Sequence, residues 1–239
     1  MIEGSNLQDY CRQLHIPTVF SVYEERFSNN FEVPRFLNLA LSAEFESRKV
    51  KRQMKALKTA GFPTMKRFED LIPESLPEEG RKYLPELKSL HFLKEKRNVI
   101  LLGNSGTGKT HCAIAAGITA CLEDYKVMFR TAAGLVNDLY EAKRQGRMSW
   151  FVKLIKRVDL LIIDELGYIS FDTEGAELMF QLLASRDETH STLITSNLLF
   201  SDWANVFQNK VLTAALLDRI THKAVILNMS RLSYRRREG

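Results

Sequence analysis

The chain has 239 residues, a formal net charge of +5, 45% hydrophobic and 26% charged residues, enough to bury a sizeable core and ordinary for a globular protein. No apolar run approaches membrane-spanning length, and the first residues, M-I-E-G-S-N-L-Q-D-Y, lack a signal-peptide pattern, so no membrane association is expected. Three cysteines without C-x-x-C spacing, Cys11, Cys112 and Cys121, speak against a zinc module or a disulfide framework and for a cytoplasmic location.

A short helix is predicted over residues 5–14, with Ser5 or Asn6 as its cap, and a second over 17–27, with Pro17 in its first turn. Pro34 opens a long helical pattern over 35–60, closed by Gly61-Phe62-Pro63. Within it Arg48, Lys49, Lys51, Arg52, Lys55 and Lys58 form a basic run with no acid between them. Such a run is either a solvated face or a phosphate-backbone contact, since clustered Lys and Arg supply most non-specific nucleic-acid affinity. Residues 63–97, punctuated by Pro63, Pro73, Pro77 and Pro85, read as a linker wrapping onto the next domain, with a short helix near 78–90. Beyond residue 97, apolar strands at 99–102, 126–130, 158–164, 192–196 and 224–228 alternate with helical patterns at 112–122, 132–145, 148–157 and 173–186. That alternation predicts an α/β fold with a five-stranded parallel sheet.

The first of these strands ends in Gly103-Asn104-Ser105-Gly106-Thr107-Gly108-Lys109-Thr110, which fits G-x-x-x-x-G-K-[ST] at every fixed position. Glycines let successive backbone N–H groups turn toward phosphate oxygens, and the start of the following helix adds the positive end of its dipole. Lys109 is expected on the β- and γ-phosphates and the Thr110 hydroxyl on Mg²⁺, with His111 completing the cofactor-binding stretch. ATP and Mg²⁺ are therefore the expected ligands. Upstream, Phe68, Leu71 and Ile72 would either cover the adenine ring or serve ordinary interdomain packing.

The third strand ends in Asp164-Glu165, at the sheet edge where ligands of open α/β sheets bind. Asp164 is expected to hold Mg²⁺, largely through water, and Glu165 to orient and polarise the attacking water. Asn197, ending the fourth strand, would either hydrogen-bond the lytic water or the γ-phosphate, or cap the turn at Ser201-Asp202. Phosphate loop, D-E pair and a polar residue ending the next strand together describe an AAA+ P-loop NTPase. The stretch after Asn197 holds a helix and one strand but no C-terminal lid. The expected organisation is a small all-α N-terminal domain for DNA or partner binding (1–62), a linker (63–97) and the ATPase domain (98–239).

Asp164-Glu165-Leu166-Gly167-Tyr168, Thr195-Ser196-Asn197-Leu198 with Phe200-Ser201-Asp202-Trp203, Leu217-Asp218-Arg219-Ile220 and the terminal Ser233-Tyr234-Arg235 together resemble the IstB family. These are helper ATPases of bacterial insertion sequences, similar to DnaC-type helicase loaders. The resemblance implies an ATPase that assembles on duplex DNA as a homo-oligomer, with ATP at subunit junctions, and assists the transposase of the same element. It also implies that Arg219 reaches a neighbour's γ-phosphate, where a planar, always-charged guanidinium suits developing charge; read from the residues alone, an ion pair with Asp218 is the alternative. Lys143, Arg144 and Arg147 become a second candidate DNA surface beside Arg48, Lys51, Arg52 and Lys55. A replicative helicase loader is the alternative function.

Overall fold

A computed structural model describes residues 9, 11, 12, 14–26, 33–186 and 189–230. The helix expected over 5–14, the end of the second helix beyond Arg26, and Arg231, Ser233, Tyr234 and Arg235 lie wholly or mainly outside them. The chain divides into two compact units, Met1–Lys55 and Ala56–Gly239.

In the first unit, helix α1 (Pro17–Arg26) starts at its proline, whose missing N–H costs nothing in a first turn. Helix α2 (Val33–Ala60) carries the basic run. Cys11, Val19 and Ala40 form a small buried cluster, with Ile16, Phe20 and Val22 packed around it. Glu44 is buried beside it, and its carboxylate accepts the Thr18 N–H at 3.1 Å and the Arg48 Nε at 2.7 Å. Burial alone would raise the Glu44 pKa; these hydrogen bonds and the Arg48 charge hold it below the usual range.

The second unit is built on a five-stranded sheet, ordered β2-β3-β4-β1-β5. Its strands are β1 (Asn98–Leu102), β2 (Val127–Thr131), β3 (Leu160–Leu166), β4 (Ser191–Ser196) and β5 (Ala224–Asn228). Every neighbouring pair is parallel, as the alternation of strand and helix patterns requires. Both faces are covered, so the strands read as continuous apolar runs. Val99 and Leu101 of β1 and Leu160 and Ile162 of β3 face helix α5 (Lys109–Leu122). Ile100, Leu102, Leu161 and Ile163 face the core built with α6 (Ala132–Arg144), α7 (Met148–Ile155), α8 (Thr173–Ala184), α9 (Trp203–Phe207) and α10 (Lys210–His222).

Several boundaries differ from the sequence reading. The division between units falls within α2 rather than after Phe62, because Ala60 is fully buried in the second unit's core and Phe62 packs against that core. Residues 63–97 are part of that core rather than a connector. Helix α3 (Glu78–Ser89) and the short α4 (His91–Lys94) bury Leu84, Leu87, Phe92 and Leu93 against the sheet's α5 face, and the turns before them bury Phe68, Leu71 and Leu76. Helix α8 also stops before Arg186. The Arg186 guanidinium turns inward and donates to the carbonyls of Ile155 at 2.6 Å, Val158 at 2.9 Å and Ser191 at 2.9 Å, tying the ends of α7 and the start of β4 together.

Candidate nucleotide site

The strand order brings three chain ends to one edge. Leu102 at the end of β1 lies opposite Ser196 of β4, which in turn lies opposite Leu166 of β3. The loop after β1, the acidic end of β3 and the residue after β4 therefore share one cleft of about 390 Å³, within the range of small-ligand sites. Ser105, Gly106, Thr107, Gly108, Lys109, Thr110, His111, Glu165, Tyr168, Thr195, Ser196 and Asn197 line it.

The loop has the conformation its glycines permit. Gly106 and Gly108 are left-handed, at φ +79° and +89°. Gly103 and Asn104 do not line the cleft; they shape it. At Gly103 (φ +143°) an added Cβ would sit 2.5 Å from the Met229 carbonyl carbon, so β5's exit passes too close for any side chain. Both residues also offer their carbonyls to the loop's own lysine: Lys109 Nζ donates to Gly103 O at 2.5 Å and to Asn104 O at 2.7 Å. Lys109 is buried, and desolvation lowers its pKa against the opposing pull of Asp164. A cation held in this way gains from an anion brought to it, and phosphate oxygens suit the need.

Asp164 is buried, and its Oδ1 accepts from Thr110 Oγ1 at 3.0 Å and from Thr195 Oγ1. Among the described residues no hydrogen bond falls on Oδ2. A hydroxyl and a carboxylate oxygen side by side, at the mouth of a phosphate loop, form the hard-oxygen pair that a small divalent cation takes alongside water and phosphate. The residues fit Mg²⁺.

Glu165 occupies an irregular position. β3 slips register between Ile163 and Leu166, and Glu165 is left-handed at φ +61°. That conformation costs a non-glycine residue about 1–2 kcal/mol. It is held by Thr195, whose Oγ1 accepts the Glu165 N–H at 3.0 Å while donating to Asp164. Ser196 secures the next residue, its Oγ donating to Leu166 O at 2.5 Å and accepting Leu198 N–H at 3.1 Å. The bulge exposes Glu165 to the cleft while the residues on either side stay buried.

The other wall comes from the segment before the sheet. Lys66, Asp70, Leu71, Ile72 and Ser75 complete the lining of the cleft. His111 Nε2 lies 2.8 Å from the Arg67 carbonyl and so ties that segment to the first turn of α5. Of the three candidate adenine neighbours, Leu71 and Ile72 reach the cleft; Phe68 is buried in the core behind them. Lys66, Asp70 and Ser75 carry no motif and are not legible in the sequence. Thr195, two residues before the polar strand end, lay within a stretch already singled out, but its double role depends on the register of β4 against β3.

The IstB-like ATP binding protein family model matches residues 14–239. This chain belongs to that family. It is 33% identical over 236 residues to a protein named as an ATP-binding protein of insertion sequence IS5376 from Geobacillus stearothermophilus, covering 97% of this chain and 94% of that one. To the protein similarly named for insertion sequence IS21 of Pseudomonas aeruginosa it is 36% identical, over 92% of this chain and 83% of that one. Among solved structures, AMPPCP-bound DnaA from Aquifex aeolicus matches at TM-score 0.57 and 21% identity over 70% of this chain and 50% of that chain. The DnaC helicase loader matches at TM-score 0.54 and 18% identity, over 64% of this chain and 91% of that one. The fold of this IstB-like protein is that of an AAA+ P-loop NTPase, and it is an ATP-binding protein of the insertion-sequence type.

The remaining expected residues of the IstB-like chain lie outside the cleft. Arg219, in the last turn of α10, stacks on Phe180 with its guanidinium carbon 5.6 Å from the ring centroid. Among the described residues it makes no ion pair with Asp218. It lines a small depression with Asn98 and Thr192, at the starts of β1 and β4 and thus at the end of the sheet opposite the phosphate loop. Of the basic candidates, Arg48 is engaged by Glu44 and by the His15 carbonyl. Lys143 pairs with Glu174 at 2.5 Å, Arg144 lies 3.5 Å from Glu141, and Arg147 sits over Trp150. No helix among the described residues is long and apolar enough to cross a membrane.

Proposed function

We propose that the protein is an Mg²⁺-dependent ATPase that assembles on duplex DNA and assists the transposase of its insertion sequence. The observation that carries the reading is the convergence of Lys109, Thr110, Glu165 and Asn197 on one cleft, with Asp164 buried and hydrogen-bonded to Thr110 and a bulge that turns Glu165 out of the sheet. Backbone N–H groups of the loop and Lys109 would bind the triphosphate. Thr110 and Asp164 would hold Mg²⁺, which neutralises phosphate charge as it builds. Glu165 would take a proton from the attacking water, and the Asn197 amide would orient that water or the γ-phosphate without adding charge. The DNA and transposase parts of the reading draw on the insertion-sequence names of the curated relatives and on the exposed cations of α2, α6 and α7.

The test compares wild type with Glu165→Gln. The variant should bind ATP as wild type does, hydrolyse it about 10²–10⁴-fold more slowly, and persist as large particles on duplex DNA in the presence of ATP. Turnover at the wild-type rate would remove Glu165 from the chemistry. A particle size independent of ATP and duplex would remove the assembly.

A further inference from the structure

Helix α7 turns off α6 at Gly146, which is left-handed at φ +65°. Phe151, Ile155 and the following Val158 anchor it in the core. Its other face is exposed and reads Ser149, Trp150, Lys153 and Leu154, continued by Lys156 and Arg157. Trp150 is 59% exposed and Leu154, one turn on, 36%. The Arg147 guanidinium lies 6.0 Å from the indole centroid, on one side of the ring. Among the described residues none of Lys153, Lys156 and Arg157 is ion-paired.

A single exposed apolar residue needs no explanation. An exposed indole with one guanidinium over its ring, and three further exposed cations within the next seven residues, is a more particular surface. Its packing is already complete without Trp150, since Phe151 and Ile155 supply the anchor. Phosphates alone would satisfy the cations but gain nothing from a flat aromatic ring. A nucleobase satisfies both, because every base has a π-face and carries phosphates on either side. Arg147, already against the ring, is placed to continue the stack or to take a flanking phosphate.

We infer that Trp150 stacks on a nucleobase when the protein binds DNA, with Arg147, Lys153, Lys156 and Arg157 on the neighbouring phosphates. In a duplex this requires a base step opened by the ring, so binding would unstack and bend the DNA locally. The inference rests on the DNA-binding reading above and adds to it a base contact.

The chain has two tryptophans, and the other, Trp203, is fully buried between Phe200 and Phe207. A change in tryptophan fluorescence on binding therefore reports chiefly on Trp150. Unlabelled duplex DNA should quench it, whereas heparin, a polyanion without bases, should not; the quenching should disappear in Trp150→Phe. By anisotropy of labelled duplex, Trp150→Ala should bind about 5- to 150-fold more weakly, while Trp150→Phe retains most affinity and both variants bind ATP as wild type. Wild-type duplex binding without a fluorescence change, or equal changes with heparin and DNA, would overturn the stacking and leave the DNA-binding reading standing. Equal duplex affinity of wild type and Trp150→Ala would overturn it as well. A wild-type protein that binds no duplex would overturn both readings.

Discussion

Thr195 has one hydroxyl and two duties. It donates to the Asp164 carboxylate and accepts the backbone N–H of Glu165, so one oxygen sets the positions of the expected metal ligand and the expected base. Thr195 is buried, and Val fills nearly the same volume without the hydroxyl. In Thr195→Val the Glu165 N–H would lose its partner, and the left-handed turn at φ +61° would lose its restraint. A displacement of about 1 Å at a reacting group costs on the order of 10²-fold in rate, so kcat for ATP hydrolysis should fall by roughly that factor while ATP affinity is kept. Thr195→Ser restores the oxygen and should restore most of the rate. The effect should also vanish in a Glu165→Gln background, where no base remains to misplace. Steady-state kinetics of the three variants decide it; Thr195→Ser as slow as Thr195→Val would reduce Thr195 to a packing residue.

At the level of elements, the basic run of α2 is the clearest case of a sequence pattern the structure subdivides. Arg48 works within its own unit, bridging Glu44 and the His15 carbonyl, so a phosphate contact there would compete with a clamp on a buried carboxylate. Lys51, Arg52 and Lys55 are exposed on the same helix. Neutralising these three together should weaken duplex binding and flatten its salt dependence by roughly 2–3 units of the log–log slope, near 0.9 for each phosphate released. An unchanged slope in a salt titration would make them a solvated face. Elements were legible where a local pattern determines them. The phosphate loop, the apolar strands and the D-E strand end each announce themselves within a few residues, and all converge in the structure. Within 63–97 the helix at 78–89 was legible but its burial was not, because Leu84 and Leu87 are recognisable as core residues only once the sheet they cover is known. Nor was the Glu165 bulge legible. It arises from pairing with β4, whose first residue is separated from Glu165 in sequence by α8. Arg186 illustrates the same limit: a charged residue at a helix end invites a catalytic reading, yet it is 1% exposed and spent on three carbonyls.

At the scale of the whole molecule, the cleft and Arg219 stand at opposite ends of the sheet. Asn98, beside Arg219, begins β1, and the phosphate loop begins five residues later, roughly 17 Å along a strand at about 3.3 Å per residue. An arginine side chain does not span that, so Arg219 can serve a phosphate only if the phosphate belongs to another copy of the chain. Its exposed position, with the guanidinium on the Phe180 face, suits such a reach, and the cation–π contact would fix its direction before assembly. Arg219→Ala should therefore bind ATP nearly normally, because Lys109, Thr110 and Asp164 of the same chain are untouched. Hydrolysis should fall steeply, since trans arginines in phosphoryl transfer are worth about 10³–10⁵ in rate. Mixing separates this role from a structural one. Arg219→Ala supplies intact phosphate loops without the arginine, and Lys109→Ala supplies the arginine without an intact loop. At a mixed junction of the right polarity one complete site is restored, so ATPase activity should rise above that of either variant alone. With mixed assembly verified by differently tagged chains, a mixture no more active than its components would assign Arg219 to the stack on Phe180, as a surface brace between α8 and α10.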